Sequence, residues 1–210
     1  MGKGTFYIIS GPSGAGKSTV LKKVIERDPE LHFSISATTR APRAGEEEGV
    51  HYHFLSRQGF EDMIASGDLL EYAEYVGNYY GTPAAPVLEK MEAGISVLTD
   101  IDVQGARQVM EKMPRAVSIF LLPPSLSELE LRLGSRGTDH ADWIAKRLAV
   151  AAKECAGAEL YDYIVINDDL ERAAAEILAI MTAQRCRREN RIDLLRSGDF
   201  CLEKIDREVI

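Results

Sequence analysis

Cysteine is scarce in this sequence, which has Cys155, Cys186 and Cys201 among its 210 residues. An odd number of cysteines, at spacings that match no metal motif, argues against a disulfide framework and is typical of a reducing compartment. Positive charge is also in the minority, because 25 Lys and Arg face 33 Asp and Glu, for a net charge of −8. This balance argues against nucleic acid or an anionic membrane as a partner.

Long apolar runs are missing as well. The longest, such as "AVSIFLLPP" at 116–124, are too short to cross a bilayer, and the N-terminal residues enter a strand pattern without a cleavable signal. The sequence has no internal repeat and no low-complexity tract. A chain of this length buries enough apolar surface to fold without a disulfide or a structural metal. We therefore expect a cytoplasmic protein that forms a single domain over residues 1–210.

Short apolar runs alternate with helical patterns in the first and last parts of the chain. The runs that predict strands are 5–10, 95–102, 116–123 and 161–167, and the patterns that predict helices are 16–28, 103–113, 125–137 and 169–190. Because these runs are apolar on both faces, they predict a parallel sheet flanked by helices. The predicted fold class is α/β, with a core formed by residues 1–33, 95–125 and 160–190.

Two segments interrupt this alternation. Residues 34–94 are polar and rich in Gly and Tyr, with strand patterns at 51–55, 69–76 and 78–82 and a helix pattern at 57–67, which predicts an inserted mixed α+β lobe. The polar stretch "SRGTDHADW" lies between two helical patterns and predicts a helical lid over residues 126–159. Residues 191–210 form a tail to which we assign no chemistry.

The stretch "GPSGAGKS" fits G-x-x-x-x-G-K-[ST] from Gly11 to Ser18, with a strand pattern before it and a helix pattern after it. Glycines there let successive backbone N–H groups point at an anion, and the helix adds its positive end. The motif therefore predicts a P-loop NTPase core in which Lys17 reaches the β- and γ-phosphates and Ser18 ligates Mg²⁺. Asp100, at the end of a buried strand, is the predicted second Mg²⁺ residue, although an ordinary strand-end Asp fits the same pattern.

Arg132 and Arg136 lie four residues apart on one predicted helix, and Arg147 follows on the next. Guanidinium groups around a mobile segment suit phosphoryl transfer, because they stabilise the charge that develops on the transferred group. A solvated helix face carrying Arg and Glu fits the same spacing.

A second basic cluster lies in the predicted lobe, within "TTRAPRAGEEEGVHYHF". Arg40 and Arg43, with the hydroxyl of Tyr52, can hold a phosphate dianion, which implies a second phosphate-bearing substrate. A basic loop neutralised by residues 46–48 is the alternative. His51 and His53 flank Tyr52, but no further metal ligand accompanies them, so we interpret them as structural.

The segment "LLEYAEYVGNYYGTP" offers groups that can read a base. Guanine presents N1–H and N2–H₂ as adjacent donors, and a carboxylate such as Glu71 accepts both, with hydroxyls at Ser36 and Thr82 close to its other edge. Adenine has no N1–H, so such a site rejects it. The spacing alone also permits an exposed Glu71. Asp102 is a further candidate that can face a substrate.

Together these motifs resemble the guanylate kinase family, from about residue 5 to residue 188. The resemblance rests on "ISGPSGAGKST", "TTRAPRAGEEEGVHYHF", "EYVGNYYGTP", "DIDVQGA", "RLGSRGT" and "IVINDDL". It implies an enzyme that transfers a phosphoryl group from ATP, with Mg²⁺, to GMP bound in the lobe. The main departure is Thr99, where the family usually has an apolar residue, and this touches packing rather than chemistry.

The resemblance also implies roles for single residues. The ATP-binding residues it implies are Gly11, Pro12, Ser13, Gly14, Ala15, Gly16, Lys17, Ser18, Thr19 and, near the adenine, Asn167. The guanine contacts it implies are Ser36, Glu71, Thr82 and Asp102, and the GMP phosphate contacts are Arg40, Arg43, Tyr52 and Tyr80. The catalytic residues it implies are Lys17, Arg40, Arg132, Arg136 and Arg147.

Three alternatives stay open at this point. A non-catalytic guanylate-kinase-like binding module would keep the lobe and dispense with the intact lysine and lid arginines. A P-loop NTPase that uses water as acceptor would show a water-orienting Gln or Glu and no second phosphate pocket. A kinase for dGMP or another monophosphate would keep the chemistry and change the acceptor. The sequence leaves the oligomeric state open, with a homo-oligomer as one option.

Overall fold

The structure, a computed structural model, describes residues 3–134 and 141–196. Its strands are β1 (Phe6–Ser10), β2 (His32–Phe33), β3 (Ala37–Thr38), β4 (His53–Phe54), β5 (Leu69–Tyr75), β6 (Asn78–Pro83), β7 (Val97–Asp100), β8 (Val117–Leu122) and β9 (Tyr163–Ile166). Its helices are α1 (Lys17–Arg27), α2 (Arg57–Ser66), α3 (Ala84–Glu92), α4 (Val103–Lys112), α5 (Leu126–Gly134), α6 (Ala141–Ala156), α7 (Leu170–Arg185) and α8 (Arg188–Arg196). A short 3₁₀ helix covers Ala158–Leu160.

The central sheet has the order β2-β7-β1-β8-β9, and its strands are parallel throughout. Strand β1 lies in the middle and is buried on both faces, with Tyr7 and Ile9 in one apolar cluster and Phe6 and Ile8 in another. Helices α1 and α7 cover the first face, and α4 covers the second. This arrangement confirms the α/β fold with a parallel sheet flanked by helices.

A second, smaller sheet lies within residues 34–94 and has the order β4-β3-β6-β5. It is mixed, because β3 pairs parallel with β4 and antiparallel with β6. Helix α2 packs on it through Phe60, whose ring stacks on Tyr79 with the centroids 5.2 Å apart. The helix begins at a Ser56 cap, whose hydroxyl accepts from the Gly59 N–H at 3.0 Å, and ends at Gly67 in the left-handed region.

Several boundaries differ from the sequence predictions. Strands β2 and β3 were not predicted, because two residues are too few to show a period. Helix α3 was not predicted either, and it has a proline in its first turn, where a missing N–H costs little. The helix predicted over 169–190 is two helices, since α7 ends at Arg185 and the Asn190 side chain donates to the Gln184 carbonyl at 2.8 Å.

Other features agree with the composition. Cys155 and Cys186 are free thiols, and Cys201 lies outside the described residues. Within the described residues no helix combines the length and apolar character needed to cross a membrane.

The hairpin between β5 and β6 contains a strained valine, and this gives a stability prediction. Val76 has φ 51° and Gly77 has φ 76°, the backbone that a type I′ turn requires. A β-branched residue is disfavoured there, and Val76 is 80% exposed. We expect Val76→Asn to raise the melting temperature by about 2–4 °C, since relieving such strain is worth about 1 kcal/mol.

The control for this prediction is Val150→Asn, at an exposed position of helix α6. Val and Asn have similar helix propensities, so this variant should melt like the wild type. Melting can be followed by circular dichroism. A Val76→Asn protein that melts at or below the wild-type temperature would contradict the strain assigned to this turn.

Candidate active site

The loop of residues 11–16 joins the end of β1 to α1, and close packing requires glycine at two of its positions. A Cβ atom at Gly11 would lie 2.2 Å from the Leu121 carbonyl oxygen. A Cβ atom at Gly16, which has φ 88°, would lie 2.4 Å from the side-chain nitrogen of Asn167. The loop therefore lies tightly between β8 and the segment that follows β9.

Helix α1 presents its N-terminal end to this loop without a capping side chain. Gly16 occupies the cap position, and the first turn carries no acidic residue. The positive end of the helix is thus available to an anion. The Lys17 ammonium donates to the Gly11 carbonyl at 2.8 Å, so the side chain spans the loop. The free helix N-terminus and the Lys17 ammonium group both favour a bound anion such as a phosphate chain.

Asn167 supports the loop from the end of β9. Its side-chain nitrogen donates to the Ala15 carbonyl at 2.7 Å, and its backbone N–H donates to Leu122 at 2.7 Å. Arg132 in turn donates to the Asn167 carbonyl at 3.1 Å and to Glu128 at 2.9 Å. The contacts of Asn167 with protein are therefore those of a residue that shapes the phosphate-binding loop.

The described lid arginines both lie against this region. Arg132 reaches it through Asn167, and Arg147 on α6 donates to the Ser13 hydroxyl at 2.9 Å. The spacing of Arg132 and Arg147 had also fitted a solvated helix face, but each contacts the loop or its support. Arg136 lies outside the described residues.

Ser18 and Asp100 supply oxygen donors beside the loop. Asp100 ends β7 next to β1, where it pairs in register with Ile9. Burial raises the pKa of Asp100, and the nearby Lys17 opposes that shift. Mg²⁺ at a phosphate is typically bound by one or two protein oxygens together with phosphate and water. Both residues line one groove, so the donor set fits magnesium.

No larger metal site accompanies them: within the described residues, no group of three or more His, Cys, Asp and Glu side chains could hold an ion. His51 accepts from the Glu47 N–H at 3.1 Å, and His53 lies 3.1 Å from Glu48. Each histidine thus organises its own loop.

The basic cluster in the lobe is ordered by Glu46. Its two carboxylate oxygens each lie 2.9 Å from a guanidinium nitrogen of Arg40, and the Arg43 N–H donates to one of them at 2.7 Å. The Arg40 guanidinium, followed by the Arg43 N–H, lowers the pKa of Glu46 to about 2. The alternative in which an acidic residue neutralises the basic loop therefore holds for Arg40, which is paired with Glu46. The same pairing fixes the orientation of the Arg40 guanidinium group.

Aromatic rings complete this cluster. The Arg40 guanidinium lies 5.4 Å from the Tyr52 ring centroid, and the Tyr52 and Tyr80 rings are 6.1 Å apart in an edge-on arrangement. Arg40, Tyr52 and Tyr80 thus come together, as the acceptor-phosphate prediction requires. The side chain of Arg43 is exposed at the border of this cluster.

Glu71 is buried, so the exposed alternative for it is wrong. It is 5% exposed, and its register partner on β6 is Thr82, which is fully buried. The Thr82 hydroxyl donates to the Glu71 carboxylate at 2.7 Å. Burial is the main cause that raises the pKa of Glu71 to about 7. Each carboxylate oxygen has two lone pairs, so Glu71 can accept a planar pair of N–H groups in addition to the Thr82 hydroxyl.

The other two predicted guanine contacts lie close to Glu71. Ser36 directly precedes β3, which pairs with β6 in the same sheet. Asp102 caps helix α4 by accepting from the Gly105 N–H at 2.7 Å, and its charge adds to the rise in the pKa of Glu71. Asp102 thus lies close enough to Glu71 for its charge to act on that carboxylate.

A groove lies between the core and the lobe, next to the first turn of helix α1. Ser18 and Asp100 from the core line it together with Val50 and His51 from the lobe. Burial raises the pKa of Tyr52, Tyr80 adds to the rise, Arg40 opposes it, and Asp100 at the end of β7 also adds to it. The lobe cluster therefore lies close enough to the core for the charge of Asp100 to act on Tyr52.

Glu154 on α6 lies against the loop of residues 11–16, and the sequence analysis did not single it out. One of its carboxylate oxygens is buried and has no hydrogen-bond partner among the described residues. Burial raises the pKa of Glu154, while Lys17 and the Ser13 N–H favour its charged form. Its place against the loop depends on how α6 packs, and no local pattern signals that.

Comparison with known proteins identifies the family to which this chain belongs. The family model described as guanylate kinase matches residues 3–184. A curated guanylate kinase from Vibrio parahaemolyticus is 53% identical over 191 residues, covering 90% of this chain and 92% of the relative. One from Carboxydothermus hydrogenoformans is 49% identical over 200 residues, covering 94% and 98%. The chain belongs to the guanylate kinase family.

A solved structure of another guanylate kinase family member supports the same assignment. The crystal structure of guanylate kinase from Anaplasma phagocytophilum has 35% sequence identity and a TM-score of 0.75, covering 95% of this chain and 97% of that one. The resemblance recognised from the motifs is confirmed, as is the α/β fold of the guanylate kinase family.

Proposed function

We propose that this protein catalyses ATP + GMP → ADP + GDP, with dGMP as a further acceptor. The observation that carries the proposal is the buried Glu71 carboxylate, which accepts from Thr82 in the lobe of a chain whose core has the glycine loop spanned by Lys17. Relatives about half identical over most of the chain are guanylate kinases, which supports the same reaction. We assign ATP to the loop 11–19, GMP to the lobe 34–94 and closure to the lid 126–159.

In the proposed reaction, a phosphate oxygen of GMP attacks the γ-phosphorus of ATP in line. The bond between the γ-phosphorus and the β,γ-bridging oxygen breaks, and ADP leaves. The nucleophile is already an anion, so no general base is needed, and catalysis consists of positioning and charge stabilisation. We assign the charge stabilisation to Lys17, Arg132 and Arg147, with Arg136 as a further candidate.

The base is selected by the Glu71 carboxylate. Ionised Glu71 accepts the N1–H and N2–H donors of guanine, while Ser36, Thr82 and Asp102 complete the contacts. Adenine N1 is an acceptor, so its lone pair would face the acceptor oxygens of Glu71. The buried carboxylate would then have no donor from the base. Such a mismatch is costly, because a buried polar group loses its hydrogen bond.

Magnesium would be held by Ser18 and Asp100. A bound Mg²⁺ would supply positive charge that partly neutralises the triphosphate. The phosphate of GMP is assigned to Arg40, Arg43, Tyr52 and Tyr80. We further propose that the protein acts in the cytoplasm on these small substrates, without nucleic acid or membrane as a partner.

The test is ADP release from ATP·Mg²⁺ with AMP, GMP, CMP, UMP or dGMP offered separately, beside a blank without acceptor. We expect release with GMP and dGMP only. Release in the blank at the same rate would identify an NTPase that uses water. Binding of GMP without any release would identify a non-catalytic binding module, and equal release with AMP would contradict the role of Glu71.

A further inference from the structure

Strand β5 is the outer strand of the lobe sheet, and a side chain of the core covers its free edge. The Gln108 amide nitrogen donates to the Tyr72 carbonyl at 2.9 Å, and the Tyr72 N–H donates to the Gln108 amide oxygen at 3.3 Å. These are the two backbone groups that a neighbouring strand would otherwise pair. Gln108 therefore takes the place of a strand at the residue next to Glu71.

Two further contacts attach the same strand to helix α4. The Lys112 ammonium donates to the Leu69 carbonyl at 3.1 Å. Leu70, at an irregularity in the pairing of β5 with β6, is buried in the core cluster that contains Val103 and Ala106 of α4. Strand β5 is thus attached to the core on both sides of Glu71.

Gly105 on α4 sets how closely the helix approaches Glu71. A Cβ atom at Gly105 would lie 2.5 Å from the Glu71 Oε2 atom and 3.0 Å from its carboxyl carbon. The opposite carboxylate oxygen accepts from Thr82 at 2.7 Å. The carboxylate is therefore enclosed between a helix of the core and a strand of the lobe.

We infer that Gln108 and Gly105 are positioning residues for base selection, which they perform by fixing the strand and the space that hold the Glu71 carboxylate. The inference rests on the proposed function, in which Glu71 reads guanine. Two parallel N–H···O bonds need both donors in the plane of the carboxylate, so a small rotation of Glu71 weakens both. Helix α4 thereby makes base selection a property of the core as well as of the lobe.

The experiment compares Gln108→Leu with Gln104→Leu, a matched change on an exposed position of the same helix. Steady-state kinetics are measured with GMP and with IMP, which lacks the 2-amino group. Gln108→Leu removes the two hydrogen bonds to Tyr72 that hold strand β5. We expect the KM for GMP to rise about tenfold, a change of the size that ordinary hydrogen bonds contribute, and the KM for ATP to stay unchanged. The preference for GMP over IMP should fall as well, while Gln104→Leu should behave like the wild type.

Gly105→Ala is a second variant that tests the same inference if the Gln108→Leu protein does not fold. Gly105 lies in the first turn of α4, where alanine suits the helical backbone better than glycine does, and the added methyl group would meet the end of the Glu71 side chain. The fold should therefore tolerate the change. We expect a wild-type melting temperature with a raised KM for GMP and a reduced GMP-to-IMP preference. Unchanged preference in both variants, at wild-type melting temperatures, would overturn the inference. A wild-type protein that fails to phosphorylate GMP would instead overturn the proposed function.

Discussion

Replacing Lys17 by methionine should lower kcat about a thousandfold, the scale of losing one positioned cation at a transferring phosphoryl group. Methionine keeps much of the length and the apolar stem but removes the charge that spans the loop to Gly11. Because the charge on the transferred group grows in the transition state, the loss should fall on kcat more than on the KM for ATP. Steady-state rates with saturating ATP·Mg²⁺ and GMP measure it.

The matched control is Lys22→Met, a solvent-exposed position on the same helix α1. It should retain the wild-type kcat and melting temperature. If Lys17→Met kept kcat within tenfold of the wild type, the charge would have to come from elsewhere, and the assignment of the loop as the site of transfer would fail.

Replacing Glu71 by glutamine should lower kcat/KM for GMP about a hundredfold, because one acceptor oxygen of the charged pair becomes a donor. The same change should stabilise the fold at alkaline pH. Burial raises the pKa of Glu71 from 4.5 to about 7, with Asp102 adding to the rise and Lys112 and Thr82 opposing it. The functional carboxylate is thus held in an environment that favours its neutral form.

The direction of the pH effect follows from proton binding. Between pH 4.5 and about 7 the folded protein retains a proton on Glu71 that the unfolded chain has released. Stability therefore falls as the pH rises through this window and stays lower above it. At pH 8, Glu71→Gln should exceed the wild type in free energy of unfolding by about 3 kcal/mol, and at pH 4 the difference from this source should vanish.

Urea unfolding at pH 4, 6 and 8 measures this difference, and kcat/KM for GMP over the same range should rise as Glu71 ionises near pH 7. Glu74→Gln, an exposed position on the same strand, is the control and should keep the wild-type slope and base preference. A Glu71→Gln protein less stable than the wild type at pH 8 would contradict the cost assigned to the buried charge.

The parts of the site that could be predicted from the sequence are those whose chemistry lies in consecutive residues. The loop 11–18 carries its glycines, lysine and serine in one stretch between a strand and a helix, so local pattern suffices. Strands such as β1 and β8 are equally visible, because a short, continuous apolar run bounded by turn residues is typical of a strand buried on both faces.

The residues that escaped prediction act across long separations in the chain. Gln108 pairs with Tyr72, Gly105 leaves room for Glu71, and Glu154 reaches the loop from α6. Each looks like an ordinary helix residue until the helix is packed. The burial of Glu71 is of the same kind, since it depends on α4 lying against β5.

The Asn167 contacts have a consequence for the order in which the molecule is completed during synthesis. Strand β1 and its loop are synthesised before the partners of β1, which are β7 and β8, some ninety to a hundred and ten residues later. The side-chain amide that donates to the Ala15 carbonyl belongs to Asn167, which is 152 positions further along the chain. Such distant contacts are slow to form. We therefore expect the loop of residues 11–16 to reach its final conformation only after strand β9 and Asn167 have been synthesised and have joined the sheet.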